Sequence, residues 1–531
     1  MKRLALLLAM VLLLAGCADL AEQEIIEEDW ENYQQIPQEP EPAPEPEEPE
    51  YPAAFALPYH RSHSLDPITC GEGVQETAAS LLYEPLFALN GQFQPEPVLC
   101  ESYAWNDTGL ICTLTLREGV TFSDGTALTA QDVANTLQRA QASKRYAYRL
   151  RNVASVAANR AGQVVITLTA PNQALPALLD IPLVKRATAE WMIPLGTGPY
   201  QAVSEGGSDV LRAREDWWQG RPVPVQTIPL VPAKDWETAL YLFTSGRVEL
   251  LTVDPTDDPS LVTGKAQVTG QPTTVMAFIG FNTAEDRLFA SPALRALFSQ
   301  GIDRETLVHT QLVQLALPAQ FPVSPLSALY PRDLEKAYSE EETLAALRSA
   351  GQASGEIKRL TMLVSEGDVF RSASARFIAE QLSLLDWEIT VAELPWEEYL
   401  AALEAGEFDL YFGEVRLTAD WDLTDLTGSE GLLNYGGYSS DVTDQLLALF
   451  AAAEDRSLPA QRLMANLQAN APIAPVCFKN YAVLTHPDVV EGISPAPSRT
   501  FRNMEKWTIH LAPKDEPEPA IDETEETSDP E

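Results

Sequence analysis

The rhythm of apolar and polar residues changes about halfway along this chain. Between residues 52 and 275 the apolar stretches are short and divided by polar turns. VLCESYAWNDTGLICTLTL (98–116) reads as a hairpin turning at 106–109, and VVITLTA (164–170), DVLRAR (209–214) and VELLT (248–252) read as further strands. Helices intervene at about 129–141, where Thr129 can cap the first turn, and at about 235–245. This is the pattern of a mixed α+β region. VMAFIGFNT (275–283) is instead a nearly continuous apolar run, as expected of a buried strand passing between folding units. Ser291-Pro292 beyond it has the form of an N-cap followed by proline at the first helical position. A regular succession then begins: strand 358–364, helix about 369–385, strand 388–394, helix about 395–405 and strand 408–412. Right-handed crossovers make such a β-α-β-α-β run a parallel sheet, and ligands of open parallel sheets sit beyond the carboxyl ends of the strands. After helical patterning in DVTDQLLALFAAAEDR (441–456), the pieces VCFKNYAVLT (476–485) and MEKWTIHL (504–511) are expected to return to the first unit. The predicted architecture is α/β, with a mixed α+β first lobe at 51–275, a second lobe at 276–475 and a return segment at 476–512. Repeated crossings between lobes make a hinge.

The two ends lack this periodicity. Lys2 and Arg3 precede an unbroken apolar run from Leu4 to Leu14, too short as a helix to cross a hydrocarbon core of roughly 30 Å, so the segment reads as a secretory signal peptide. Its end, Leu14-Ala15-Gly16-Cys17, resembles a bacterial lipobox. That resemblance implies cleavage before Cys17, lipid attachment to its thiol and an anchor at the extracellular face of the cell membrane. Residues 18–50 hold thirteen Asp or Glu and no Lys or Arg, ending in PQEPEPAPEPEEPE. Such a segment has little to bury and is expected to be an extended disordered spacer, with a reach on the order of 100 Å at about 3.1 Å per residue. The tail at 513–531 is similar, with nine acids and one lysine.

These ends change the meaning of the formal charge of −41: they supply −13 and −8, the signal supplies +2, and −22 stays on residues 51–512. About half of the acidity therefore belongs to solvated tails, and its sign argues against nucleic acid or an anionic lipid surface as partner of the body. Besides Cys17 the chain has Cys70, Cys100, Cys112 and Cys477. A body of this length does not need disulfides for a core. In the predicted hairpin Cys100 falls opposite about Thr115 and Cys112 opposite about Tyr103, so the two do not face each other.

Candidate chemistry concentrates in RLTADWDLTDL (416–426), just past the last parallel strand, where Asp420, Asp422 and Asp425 surround Trp421. On an extended stretch Asp420 and Asp422 would lie about 6–7 Å apart on one side, a spacing known from glycoside hydrolysis. A secreted carboxylate-dependent hydrolase is thus the rival class, but no G-x-S-x-G or H-E-x-x-H motif accompanies the acids, and no catalytic residue is assigned. The segment also lacks the glycine and glutamate positions of a calcium loop. No cofactor and no metal site is expected; His60 and His63 are a weak metal pair at the edge of the spacer.

Several stretches together resemble the family 5 extracellular solute-binding proteins of ABC transporters, which include oligopeptide-, dipeptide- and nickel-binding proteins. They are SLDP (64–67), the block from Leu81 to Val133, GTGPY (196–200), DWWQGRP (216–222), FIGFNT (278–283) with ALRALFSQGIDRETLV (293–308), and NYGGYSSDVTDQLL (434–447). The resemblance implies a two-lobed, periplasmic-binding-protein-like fold of class II type, which closes on a peptide or other small solute and delivers it to membrane permease subunits, acting as a monomer. It further implies that Asp420, in the Ala419-Asp420 match to a W-x-A-D loop, holds the ligand ammonium, that Trp421 either walls the ligand or packs between lobes, and that the CGEGV loop (70–74), with Glu72 and Gly73, meets ligand backbone. Leu417 stands where tryptophan is usual and Glu414 where arginine occurs. Both departures leave room for a non-peptide solute such as a nickel chelate or an oligosaccharide.

Overall fold

The computed structural model describes residues 51–256, 265–312, 315–349, 358–383 and 387–513. The segments read as signal peptide and spacer, and the acidic tail from residue 514, lie outside the described residues. The apolar run that suggested a strand at 275–283 is the second half of a longer one. Strands β1 (Leu250–Val253), β2 (Gln267–Phe281), β3 (Ala316–Pro318), β4 (Lys358–Ser365), β5 (Trp387–Leu394), β6 (Leu410–Arg416) and β7 (Ile473–Thr485) form one sheet. Its order is β1-β7-β2-β6-β4-β5, with β3 paired to β7. The β4/β5 and β4/β6 pairs are parallel, as the crossover pattern requires. Their neighbours β2 and β7 run antiparallel, so the sheet is mixed.

β2 and β7 are long because each serves two cores. Ile279 and Phe281 of β2, with Val476 and Cys477 of β7, pack among Phe298, Ile378 and Trp387, whereas Ala482 and Leu484 at the far end of β7 pack with Leu242, Phe243 and Leu251. Between these ends the β2/β7 ladder is broken, passing from Pro272↔Asn480 to Met276↔Phe478. An interruption of this kind bends a strand pair locally. The break lies between the parts of these strands that serve the two cores.

In the first part the hairpin forms from Cys100–Trp105 and Ile111–Leu116. Its register differs from the expected one: Cys112 lies opposite Trp105 and Cys100 opposite Leu116. Asn106 Oδ1 accepts from the N–H groups of Leu110 and Ile111, which lengthens the turn. All four described cysteines are free and buried. Helix Ala130–Ala142 begins with a capping box between Thr129 and Asp132. Proline occupies the first position of helix Pro292–Gln300, but the Ser291 side chain makes no capping bond.

The GTGPY segment shows why its glycines are small. Gly198 N–H donates to Leu82 O at 2.9 Å, and a Cβ on Gly196 would lie 2.1 Å from that same oxygen. The segment thus lies directly on the backbone of residues 81–82.

Candidate ligand cleft

Several passes of the chain meet at the break in the β2/β7 ladder, and a cleft of about 710 Å³ opens there. Glu72 and Gly73 line it from the early loop, Thr252 to Asp254 from the end of β1, Gln271 to Thr274 from β2, Tyr481 from β7, and Arg416, Leu417 and Ala419 from the end of β6. Chambers of about 500 and 610 Å³ share Ser80, Asp180 and Ser498 with it. The size suits a small organic solute with room to spare.

The lining is charged, and its charges are mostly paired. Arg416 donates to Tyr481 Oη at 2.7 Å and lies 3.4 Å from Glu72, bridging the cleft mouth. Arg149 pairs with Asp180, and Arg145 with Glu76. Burial pushes the Asp180 carboxyl up despite its arginine neighbour. Gly73 adopts φ 76°, a left-handed value that favours glycine, at the start of helix Val74–Ala79. No protein atom comes within 4 Å of a Cβ built at Gly71 or Gly73, so backbone conformation rather than crowding selects glycine at Gly73.

Asp420 requires a correction. An ammonium anchor needs a carboxylate open to the cleft, yet Asp420 is 3 % exposed and is not among the cleft-lining residues. Oδ2 accepts from Asn172 Nδ2 at 2.7 Å, and Oδ1 accepts from the Thr418 hydroxyl at 2.5 Å and the Asp422 N–H at 3.3 Å. Trp421 as a ligand wall is likewise corrected: it is 1 % exposed, at φ 56°, with Phe93 and Phe478 edge-on to it at 5.1 and 5.8 Å. It therefore packs between the lobes. Asp422 and Asp425 flank Arg151 at 2.6 and 3.5 Å, and the Gln173 N–H donates to Ala451 O at 3.0 Å. The acids of RLTADWDLTDL thus tie the 151–173 region to the 420–451 region across the rim, and the loop presents Leu417 and Ala419, not its carboxylates, to the cleft.

Glu414 has a different role from the charge reversal inferred by comparison with relatives. It lies 3.0 Å from Lys479 Nζ, which also meets Asp254 at 3.0 Å and Thr256 at 2.9 Å. Burial raises the Glu414 pKa, and Lys479 opposes the rise. The acid is the counter-ion of a buried lysine beside the break in the β2/β7 ladder. His60 Nδ1 approaches Ala233 O at 2.6 Å, which gives that ring a structural partner.

Arg149, Asp180, Arg416 and Tyr481 were not legible as site residues. Arg416 opens the acidic stretch and its position past a parallel strand was the one available signal; the others come from remote segments that meet only in the folded chain.

Residues 94–431 match the family model described as bacterial extracellular solute-binding proteins, family 5 Middle. The glutathione-binding protein GsiB of Escherichia coli (strain K12) is 26 % identical over 413 residues, covering 72 % of this chain and 80 % of that protein. Two solved structures share the fold: the murein tripeptide-binding protein MppA in its unliganded open form (TM-score 0.71, 22 % identity, 86 % of this chain and 98 % of that one) and the oligopeptide-binding protein AppA from Bacillus subtilis with a nonapeptide (TM-score 0.58, 21 % identity, 87 % and 100 %). Among the described residues no helix is long and apolar enough to cross a membrane.

Proposed function

Because this chain belongs to the family 5 bacterial extracellular solute-binding proteins, we propose that it captures a short peptide in the interlobe cleft and delivers it to the permease of an ABC importer, held at the outer face of the membrane by lipid on Cys17. The observation that carries this reading is the cleft itself, roomy, charged on both walls and placed at the break in the pairing of β2 and β7. Glu72 and Gly73 contact the solute directly. Asp420 and Trp421 act from behind the wall, fixing the loop that carries Leu417 and Ala419. The names of relatives that bind glutathione, a murein tripeptide or a nonapeptide support a peptide as solute.

Calorimetric titration of the purified protein with di- to pentapeptides should give saturable binding without turnover. Native mass spectrometry of protein purified without denaturant should show a retained mass that exchanges with the tightest peptide. Hydrolysis of a peptide, or binding of oligosaccharides in preference to every peptide tested, would sink the reading. For the anchor, Cys17→Ser should move the protein from the membrane fraction to the medium; unchanged fractionation would refute lipid attachment at that residue.

A further inference from the structure

The third chamber, of about 610 Å³, reaches from the cleft past Asp180 and Ser498 toward residues 499–505. Four arginines line it, and two of them differ from the other arginines around the cleft. Arg117 donates through Nε to Val98 O at 3.0 Å and lies over the Trp218 ring, while Arg221 faces Glu505 at 3.3 Å. Arg149, Arg145 and Arg416 have the carboxylates named above. Arg499 and Arg502, by contrast, make no side-chain hydrogen bond or ion pair with any described residue.

The acids of this chamber do not fill that role. Glu84 is buried, and its two oxygens accept from Trp218 Nε1 and Gln219 Nε2, both at 2.7 Å. Glu505 faces Arg221, and Glu96 is exposed on its strand. Burial lowers the pKa of Arg499 and the neighbouring Arg502 adds to that shift, while Glu96, Glu84 and Glu505 oppose it; both arginines stay half-buried, partly open to solvent. Two adjacent half-buried guanidinium groups that face a chamber without a carboxylate partner are matched by a carboxylate, which a guanidinium can bind through two parallel hydrogen bonds.

The backbone around it is held in place. Ala496 and Arg499 exchange both backbone hydrogen bonds, at 3.2 and 2.9 Å, around Ser498, which sits at φ 56°. Gln271 of β2 fastens the turn by donating to Ala496 O at 3.1 Å and accepting from the Thr500 hydroxyl at 3.0 Å. Non-glycine residues held in the left-handed region cluster at ligand sites, where surrounding contacts impose the conformation. Here the strained residue itself lines the cleft and both chambers.

We propose that this chamber is a carboxylate subsite, in which Arg499 and Arg502 receive the carboxylate of a solute whose remainder lies in the main cleft. The proposal deepens the peptide-binding reading and rests on it for the identity of the solute. Two sources supply the same chemistry, the C-terminal carboxylate of a peptide or an acidic side chain. Four probes separate them in calorimetric titrations: Ala-Ala-Ala, its C-terminal amide, Ala-Glu-Ala-amide, and succinate as a carboxylate without a peptide. Wild-type protein should bind succinate, and Arg499→Gln/Arg502→Gln should lose at least tenfold in affinity for succinate and for whichever carboxylate-bearing peptide uses the chamber. Affinity for Ala-Ala-Ala-amide should stay within twofold. Equal loss for the amide, no loss for any probe, or no succinate binding to wild type would overturn the subsite. If wild type binds succinate in an Arg499-dependent way but binds none of the peptides, the peptide reading fails and the subsite stands. Arg499→Gln alone, read by the same titrations, decides the matter if the double variant does not melt cooperatively.

Discussion

Lys479 is a cation almost beyond the reach of water, its side chain 2 % exposed, and it survives there because Asp254 and Glu414 each lie 3.0 Å away. A charge so placed needs partners, since removing one side of a buried pair leaves the other uncompensated. The same logic reverses the role read for Asp420 from its sequence context: a carboxylate bonded to Asn172 and Thr418 stabilises the fold before it can hold a ligand. Asp420→Ala should lower unfolding free energy by about 1–3 kcal/mol, measured by urea denaturation of the unliganded protein, and Asn172→Ala in that background should add little. A variant as stable as wild type would return Asp420 to the list of ligand contacts. Glu249 gives a pH-dependent counterpart. It is 2 % exposed, 3.9 Å from His486 Nε2, and burial raises its pKa to about 7 from 4.5. Because the folded state holds this proton more tightly, the associated stability is complete below about pH 4.5 and is lost as pH rises through about 7. Glu249→Gln should therefore flatten the stability profile over that window and leave the protein up to ~3 kcal/mol more stable at pH 8; parallel wild-type and variant profiles would contradict the assignment.

At the scale of elements, legibility followed locality. The helix capped by Thr129 and the strands of the β4-β5-β6 run were readable because caps and apolar runs act within a few residues. The hairpin register was missed because the Asn106 side chain, rather than the strand pattern, sets the turn length. Half of the sheet's character was also hidden: nothing local in 476–485 announces that it will pair with β1, β2 and β3 at once. The family stretch GTGPY was visible as a motif, but its cause was not, since Leu81 and Leu82, the backbone it lies on, are more than a hundred residues away. A Cβ at Gly198 would come 2.5 Å from Leu82 C and 2.6 Å from Leu81 O. Backbone cannot yield as a flexible side chain does, so Gly198→Ala should cost about 1–3 kcal/mol or more of stability in thermal or urea unfolding. An unperturbed melting temperature would mean that the segment relaxes away from residues 81–82.

Across the whole molecule, the acids that invited a catalytic reading are better placed to govern how the lobes meet. Arg151 between Asp422 and Asp425 is part-buried and joins parts of the chain some 270 residues apart. Arg151→Ala should raise the radius of gyration of the ligand-free protein in small-angle scattering by loosening the rim, with unchanged far-UV circular dichroism; an identical scattering profile would show that the Trp421 packing alone sets the lobe arrangement. Glu72 and Arg416, facing each other at 3.4 Å across the mouth, have a separate consequence. An empty mouth already carries its own counter-ions, so a zwitterionic solute enters by exchanging partners with them and releases few ions to the medium. Solute binding at such a mouth would be comparatively indifferent to the saltiness of the surroundings, because the charges it displaces are the protein's own rather than ions of the medium.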